Sequence, residues 1–272
     1  MRHSKNYKQI SLDRIMQVYA KKGQMTIFII VAIVIAILIL LFFLLRPRLP
    51  GIFEEELSPT SYLKGCIEPE VRPAVELLAK QGSYQAPEGY IEYKGAKIKY
   101  LCYTDDNYET CNVQQPMIKQ NFERELNLML KSRANQCVRN LISEYEKRGY
   151  EVSSGGIDSS ASIVPNKIII SFNAPLTISK ETSQKFQNFD AEINSEIYDL
   201  LFIANSIVEY EAELGDSATE LYLQYYPDLK IEKIKLSDGT KIYKLSNVIT
   251  GEEFSFASRS LAWPAGYGLE EI

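Results

Sequence analysis

The chain has 272 residues, of which 46% are hydrophobic and 24% charged, enough apolar mass to bury a core and too much for disorder to be the default. Its net charge of -5 is split into +5 on residues 1–23 and -10 on the remainder. An acidic body with no basic stripe argues against nucleic acid as a partner, because phosphate binding needs clustered Lys and Arg.

The leader owes its charge to Arg2, Lys5, Lys8, Arg14, Lys21 and Lys22, opposed only by Asp13. Met25 to Leu45 follows without a charged residue, and 17 of its 21 residues are Ile, Leu, Val or Phe. As a helix this stretch is about 31 Å long, the thickness of a hydrocarbon core, so one transmembrane helix is expected over residues 24–46. Arg46-Pro47-Arg48 stands where a secretory signal would carry a small-x-small cleavage site. The excess of basic residues before the segment places the N-terminus in the cytoplasm and the bulk of the chain outside.

A linker is expected over residues 47–60, broken by Pro47, Pro50 and Gly51 and extended by Glu54, Glu55 and Glu56. Glu68 to Lys80 reads as a short helix with Val71, Val75 and Leu78 on one face. Tyr90–Tyr93 and Ala96–Tyr103 read as a hairpin turning at Lys94-Gly95. From Pro116 to Arg148 a long helix is predicted, its apolar face running from Ile118 through Phe122, Leu126, Leu130, Ala134, Val138 and Leu141 to Tyr145.

A Ser/Gly-rich stretch, Ser153 to Ser162, opens the second half, and Lys167–Phe172 and Leu176–Ile178 read as short strands around Pro175. Phe186, Phe189, Ile193, Ile197, Leu201, Ala204 and Val208 fit one amphipathic helix closed by Gly215. A tyrosine-rich helix, Thr219 to Tyr226, ends at Pro227. Strands at Leu229–Leu236 and Lys241–Leu245 meet through Asp238-Gly239, and Glu253–Ser258 is the last strand. The expected fold class is therefore α+β, with a disulfide-bonded extracytoplasmic domain of long helices and antiparallel hairpins. It divides into lobes at 61–150 and 151–272.

All four cysteines lie beyond the apolar segment, and an even number in an oxidising compartment reads as two disulfides. Three pairings are possible. Cys102 with Cys111 is preferred because they bracket a short polar loop, and Cys66 with Cys137 because each sits beside a predicted helix. Zinc is the weaker reading, since no CxxC pair or neighbouring histidine is present.

At the membrane boundary the chain reads Lys21-Lys22-Gly23-Gln24-Met25-Thr26-Ile27-Phe28, which resembles the archaeal class III signal peptide of type IV pilin-like proteins. The resemblance implies a cut between Gly23 and Gln24 by a prepilin-type peptidase on the cytoplasmic side, with the apolar segment left as anchor and free to self-associate. It covers only the leader and the apolar segment. The chain departs from the family at Phe28, where many pilins carry glutamate, and at Pro47 and Pro50, which interrupt the helix.

The sole histidine, His3, lies in the leader, so the outer domain has no Ser-His-Asp or Cys-His arrangement, and GxSxG, GxGxxG, HExxH and P-loop motifs are absent. Acid pairs such as Asp105-Asp106 or Glu123 with Glu125 read as solvated faces. Tyr84, Tyr90, Tyr93, Tyr100, Tyr103 and Tyr108 crowd one hairpin, and Tyr222, Tyr225 and Tyr226 another segment, either as a half-buried sheet surface or as a contact face. The sequence thus reads as a non-enzymatic, membrane-anchored envelope protein with no cofactor, acting in surface structure or assembly, with other envelope proteins or copies of itself as partners. The alternative is an anchored extracytoplasmic binding or hydrolytic domain, for example glycan-directed, without a local motif.

Overall fold

The computed structural model describes residues 27–42 and 57–263. Residues 27–42 form helix α1, every residue of which is exposed. Among the described residues no helix is long and apolar enough to cross a membrane; the remainder of the segment expected to do so, residues 24–26 and 43–46, lies outside them. The described residues from Leu57 onward form a separate compact unit.

That unit opens with α2, Pro59–Lys80. The Ser58 hydroxyl caps it by accepting the Ser61 amide at 3.4 Å, and Pro59 occupies the first turn, where no amide is needed. The last two residues of the expected linker are therefore helical, and the helix starts nine residues before the predicted Glu68. Leu63, Ile67, Val71, Val75 and Leu78 give it a continuous buried stripe. Pro69 and Pro73 fall on the opposite, exposed side, where the carbonyls they leave without a partner can meet water.

Strands β1 (Tyr90–Tyr93) and β2 (Ala96–Tyr103) form the expected hairpin, with Lys94 and Gly95 both at positive φ, as the favoured two-residue turn requires. The two-residue β3 (Asn112–Val113) pairs with β2. Helix α3, Ile118–Lys147, buries the predicted face from Ile118 to Tyr145. Then come β4 (Glu151–Ser154), β5 (Asp158–Val164) and the long β6 (Lys167–Ser179). Strand β6 alternates buried and outward residues throughout, passing straight through Pro175. Proline is accommodated because β5 pairs only as far as Asn173, β4 begins at Leu176, and the register with the next strand shifts between those positions.

That next strand, β7 (Ser183–Asn194), corrects the predicted helix from Phe186. Only Ile197–Leu214 is helical, as α4. Phe189, Ala191 and Ile193 alternate inward on β7, and the four-residue step from Ile193 to Ile197 simulates a helical period across the boundary. Helix α5 (Glu220–Tyr225) and strands β8 (Leu229–Lys235), β9 (Thr240–Asn247) and β10 (Glu253–Arg259) complete the described chain.

Two sheets result. The larger runs β1-β2-β10-β9-β8, with β3 on β2, and its β2–β10 pair is parallel, a departure from the expected antiparallel hairpins. The smaller has β4 and β5 along one edge of β6 and β7 along the other. Helix α2 touches both sheets and packs on α3, which in turn meets α4. The expected lobes at 61–150 and 151–272 share one core: Leu63, Phe122 and Leu141 join the same cluster as Phe172, Ile207 and Phe256. Neither half closes a core alone, because the helices of the first half supply the cover for the strands of the second.

Candidate functional site

Lys21, Lys22, Gly23 and Gln24, the leader-processing residues, lie outside the described residues. The cysteines are all described. Cys66 on α2 joins Cys137 on α3 across a Cα separation of 5.9 Å, and Cys102 on β2 joins Cys111 across 5.4 Å. Cys137 and Cys102 are fully buried. The Cys111 amide donates to the Ser260 hydroxyl at 2.9 Å, tying the shorter bridge to the end of β10.

A groove of about 330 Å³ lies between α2, the ends of β6 and β7, and the β9–β10 turn. Val71, Val75 and Ala79 form one wall and Ile168, Ile193 and Ile197 the other. Its rim is charged. Arg72 and Lys80 on α2 pair with Glu68 and Glu76 at 2.5 Å, and Glu252 and Glu253 stand opposite. The Glu252 carboxylate accepts from the Ser195 hydroxyl at 2.6 Å and from the Glu196 amide, so it secures the start of α4. Burial first, then the negative charges of Asp199, Glu252 and Asp228, push the Glu196 carboxyl above its ordinary value. An apolar floor under a mixed-charge rim, at the small end of ligand-site volumes, suits an amphipathic group.

A second cluster, which sequence reasoning missed, is built around a carboxylate closed to solvent. Glu211 sits at the end of the buried stripe of α4, and its carboxylate accepts from the Tyr243 hydroxyl, the Ser258 hydroxyl at 2.8 Å and the Ser217 amide at 3.1 Å. Lys241, inward-facing on β9, lies 2.7 Å from the same carboxylate and also donates to the Gly215 carbonyl and, at 3.3 Å, to Asp216. Lys233 reaches Asp216 and the Ser217 carbonyl. Burial, reinforced by Glu211, drives the Tyr243 phenol far above its ordinary value. Asp216 behaves oppositely: burial opposes its charge, but the ammonium groups of Lys233, Lys241 and Lys235 prevail and hold its carboxyl below the ordinary range. The cluster clasps α4 to β9 and β10, since every oxygen of Glu211 and every proton of Lys241 has a structural partner. Its signal in the sequence is a glutamate at a core position of a helical stripe and a lysine at the inward parity of a strand.

The remaining sequence candidates are dispersed. Glu123 pairs with Lys119 at 2.5 Å and accepts the Ile163 amide at 2.7 Å, while Asp105 accepts from Tyr103 at 2.6 Å. In the tyrosine-rich hairpin, Lys97, Lys94 and Lys99 lie over the rings of Tyr90, Tyr93 and Tyr84, and the Tyr100 hydroxyl meets Thr240 at 2.9 Å. Tyr222 is tied to Ser206 at 2.8 Å, whereas Tyr225 is 80% exposed. Among the described residues no group of His, Cys, Asp and Glu is placed to hold a metal ion. No protein-family model, curated protein or solved structure matches the chain.

Proposed function

We propose that this chain is a membrane-anchored extracytoplasmic envelope protein, pilin-like at its N-terminus, that acts as a surface or assembly component. The observation that carries the reading is the closure of both disulfides inside the unit that follows the apolar segment, a covalent state maintained in oxidising compartments. The basic leader before an uncharged, wholly apolar stretch supports the same orientation. The membrane is then the first partner, through residues 24–46, and a prepilin-type peptidase acting at Lys21, Lys22, Gly23 and Gln24 the second.

Intact mass and N-terminal sequencing of the protein from its native membrane test this. A mature chain starting at Gln24, with protease added outside the cell reaching residues beyond Arg48, is the expected result. A native chain starting at Met1 removes the pilin-like part, and external cleavage within residues 1–20 removes the orientation. The groove between α2 and the β9–β10 turn favours a second reading, an anchored binding domain. Glycan-array binding by wild type that is abolished in Ala79→Trp, where the new ring fills the groove, would select it.

A further inference from the structure

We propose that two copies of this chain pair through the free edge of β7, antiparallel, about a twofold axis between Gln187 and Asn188. Strand β7 is hydrogen-bonded along one edge to β6, and among the described residues no strand pairs with its other edge. An edge of this length is a template for another strand unless its side chains oppose pairing. Here they match it.

The centre of β7 reads Lys185-Phe186-Gln187-Asn188-Phe189-Asp190, a pattern that returns on itself when reversed, with the charge sign exchanged. Laid antiparallel on a second copy about that axis, Phe186 faces Phe189 of the second copy, and Lys185 faces its Asp190. Both contacts occur twice by symmetry. The faces agree as well. Phe186 pairs with the inward Leu176 and Phe189 with the inward Phe172, because the register shift between Asn173 and Leu176 absorbs one step of the alternation. Both rings therefore lie on the core side, where they already stack at 5.6 Å. Lys185 and Asp190 pair with Thr177 and Ser171 on the outer side. A regular strand would have put the two phenylalanines on opposite faces.

Paired strands thus cover what remains exposed of the half-buried Phe186 and set opposite charges across each other, while the polar Gln187 and Asn188 meet on the axis. Sliding the register by two residues separates the rings and breaks the charge match. Asp190 is held in place by the Ser171 hydroxyl at 2.7 Å, and Lys185 forms no ion pair among the described residues. The inference goes beyond the anchoring and leader reading and stands or falls without it, since β7 belongs to the unit after Leu57.

The test uses full-length protein in detergent micelles, its self-association followed by sedimentation over a range of protein-to-detergent ratios. Lys185→Asp and Asp190→Lys should each weaken association about tenfold, as two attractive cross-strand pairs become repulsive. The combined K185D/D190K variant should restore it, because the charges are then exchanged but still opposite. Recovery in the double variant also shows that the single ones failed by repulsion and not by misfolding. A wild type that stays monomeric overturns the proposal. So does association indifferent to the single reversals, as contacts through α1 would be, or a double variant as weak as the single ones.

Discussion

Lys241 places its ammonium 2.7 Å from the Glu211 carboxylate, with 8% of the lysine side chain and none of the glutamate reaching solvent. Removing one partner of such a pair leaves a charge without compensation in a low-dielectric interior. Lys241→Met should therefore cost about 3–5 kcal/mol. Glu211→Gln should cost less, because Asp216 remains 3.3 Å from the lysine, whereas Lys241 is the only ion-pair partner of Glu211 among the described residues. Urea denaturation of both variants decides it, and an equal or reversed order would contradict the account.

Alkaline pH probes the same cluster through Tyr243, whose phenol burial and Glu211 hold protonated. Above the ordinary value of about 10 the unfolded chain loses this proton and the folded chain keeps it, so unfolding releases a proton and rising pH favours unfolding. Wild-type stability should be complete below that value and fall beyond it. Tyr243→Phe should be weaker at neutral pH by about 1.5–3 kcal/mol, having lost a hydrogen bond to a charged group, yet decline less steeply between about pH 9 and pH 11. Parallel alkaline limbs for the two proteins would refute this role.

Two glycines with the same backbone conformation should respond differently to alanine. Gly149 and Gly215 have φ of 78° and 79°, but a Cβ at Gly149 meets nothing within 4 Å, whereas at Gly215 it would lie 2.0 Å from Leu261 Cδ1. Gly149→Ala should cost the left-handed penalty alone, about 1–2 kcal/mol. Gly215→Ala should cost roughly 1–3 kcal/mol more, for displacing Leu261, and Leu261→Ala in the same chain should recover part of it. Thermal denaturation giving equal losses at the two sites would show that Leu261 yields freely.

The bridges should rank by the chain they enclose. Cys66–Cys137 spans 71 residues and Cys102–Cys111 spans 9, so loop-closure entropy assigns about 4.5 and about 2.5 kcal/mol. Paired alanine replacements, compared by denaturant midpoint, should keep that order. Four titratable thiols in the native protein would dismiss both bridges.

What the sequence made legible was local. The turn at Lys94-Gly95 is readable because both residues must take positive φ, and α3 because its apolar period runs from Ile118 to Tyr145 without a breaker. The cysteine pairs follow from one short polar loop and two helix faces. The first half of α2, from Pro59 to Ile67, was hidden because its apolar residues, Leu63 and Ile67, are few, and they show as a stripe only when read on from Val71. Strand β7 was hidden by spacing that serves two periods at once. The Glu211 and Lys241 cluster was hidden for another reason: charged residues default to solvent, and these partners meet only after α4 has been laid on β9 and β10.

The parallel seam between β2 and β10 sets an order on folding. Strand β10 lies between β2 and β9, so among the described residues the backbone pairing that joins the hairpin of β1 and β2 to that of β8 and β9 runs through residues 253–259. A chain emerging N-terminus first must keep β2 open along that edge until residues 253–259 have been delivered, and closing so long a loop is slow. Chains cut short before Glu253 would carry two hairpins with no strand to unite them, and such incomplete products would present unpaired edges to whatever proteases patrol the compartment.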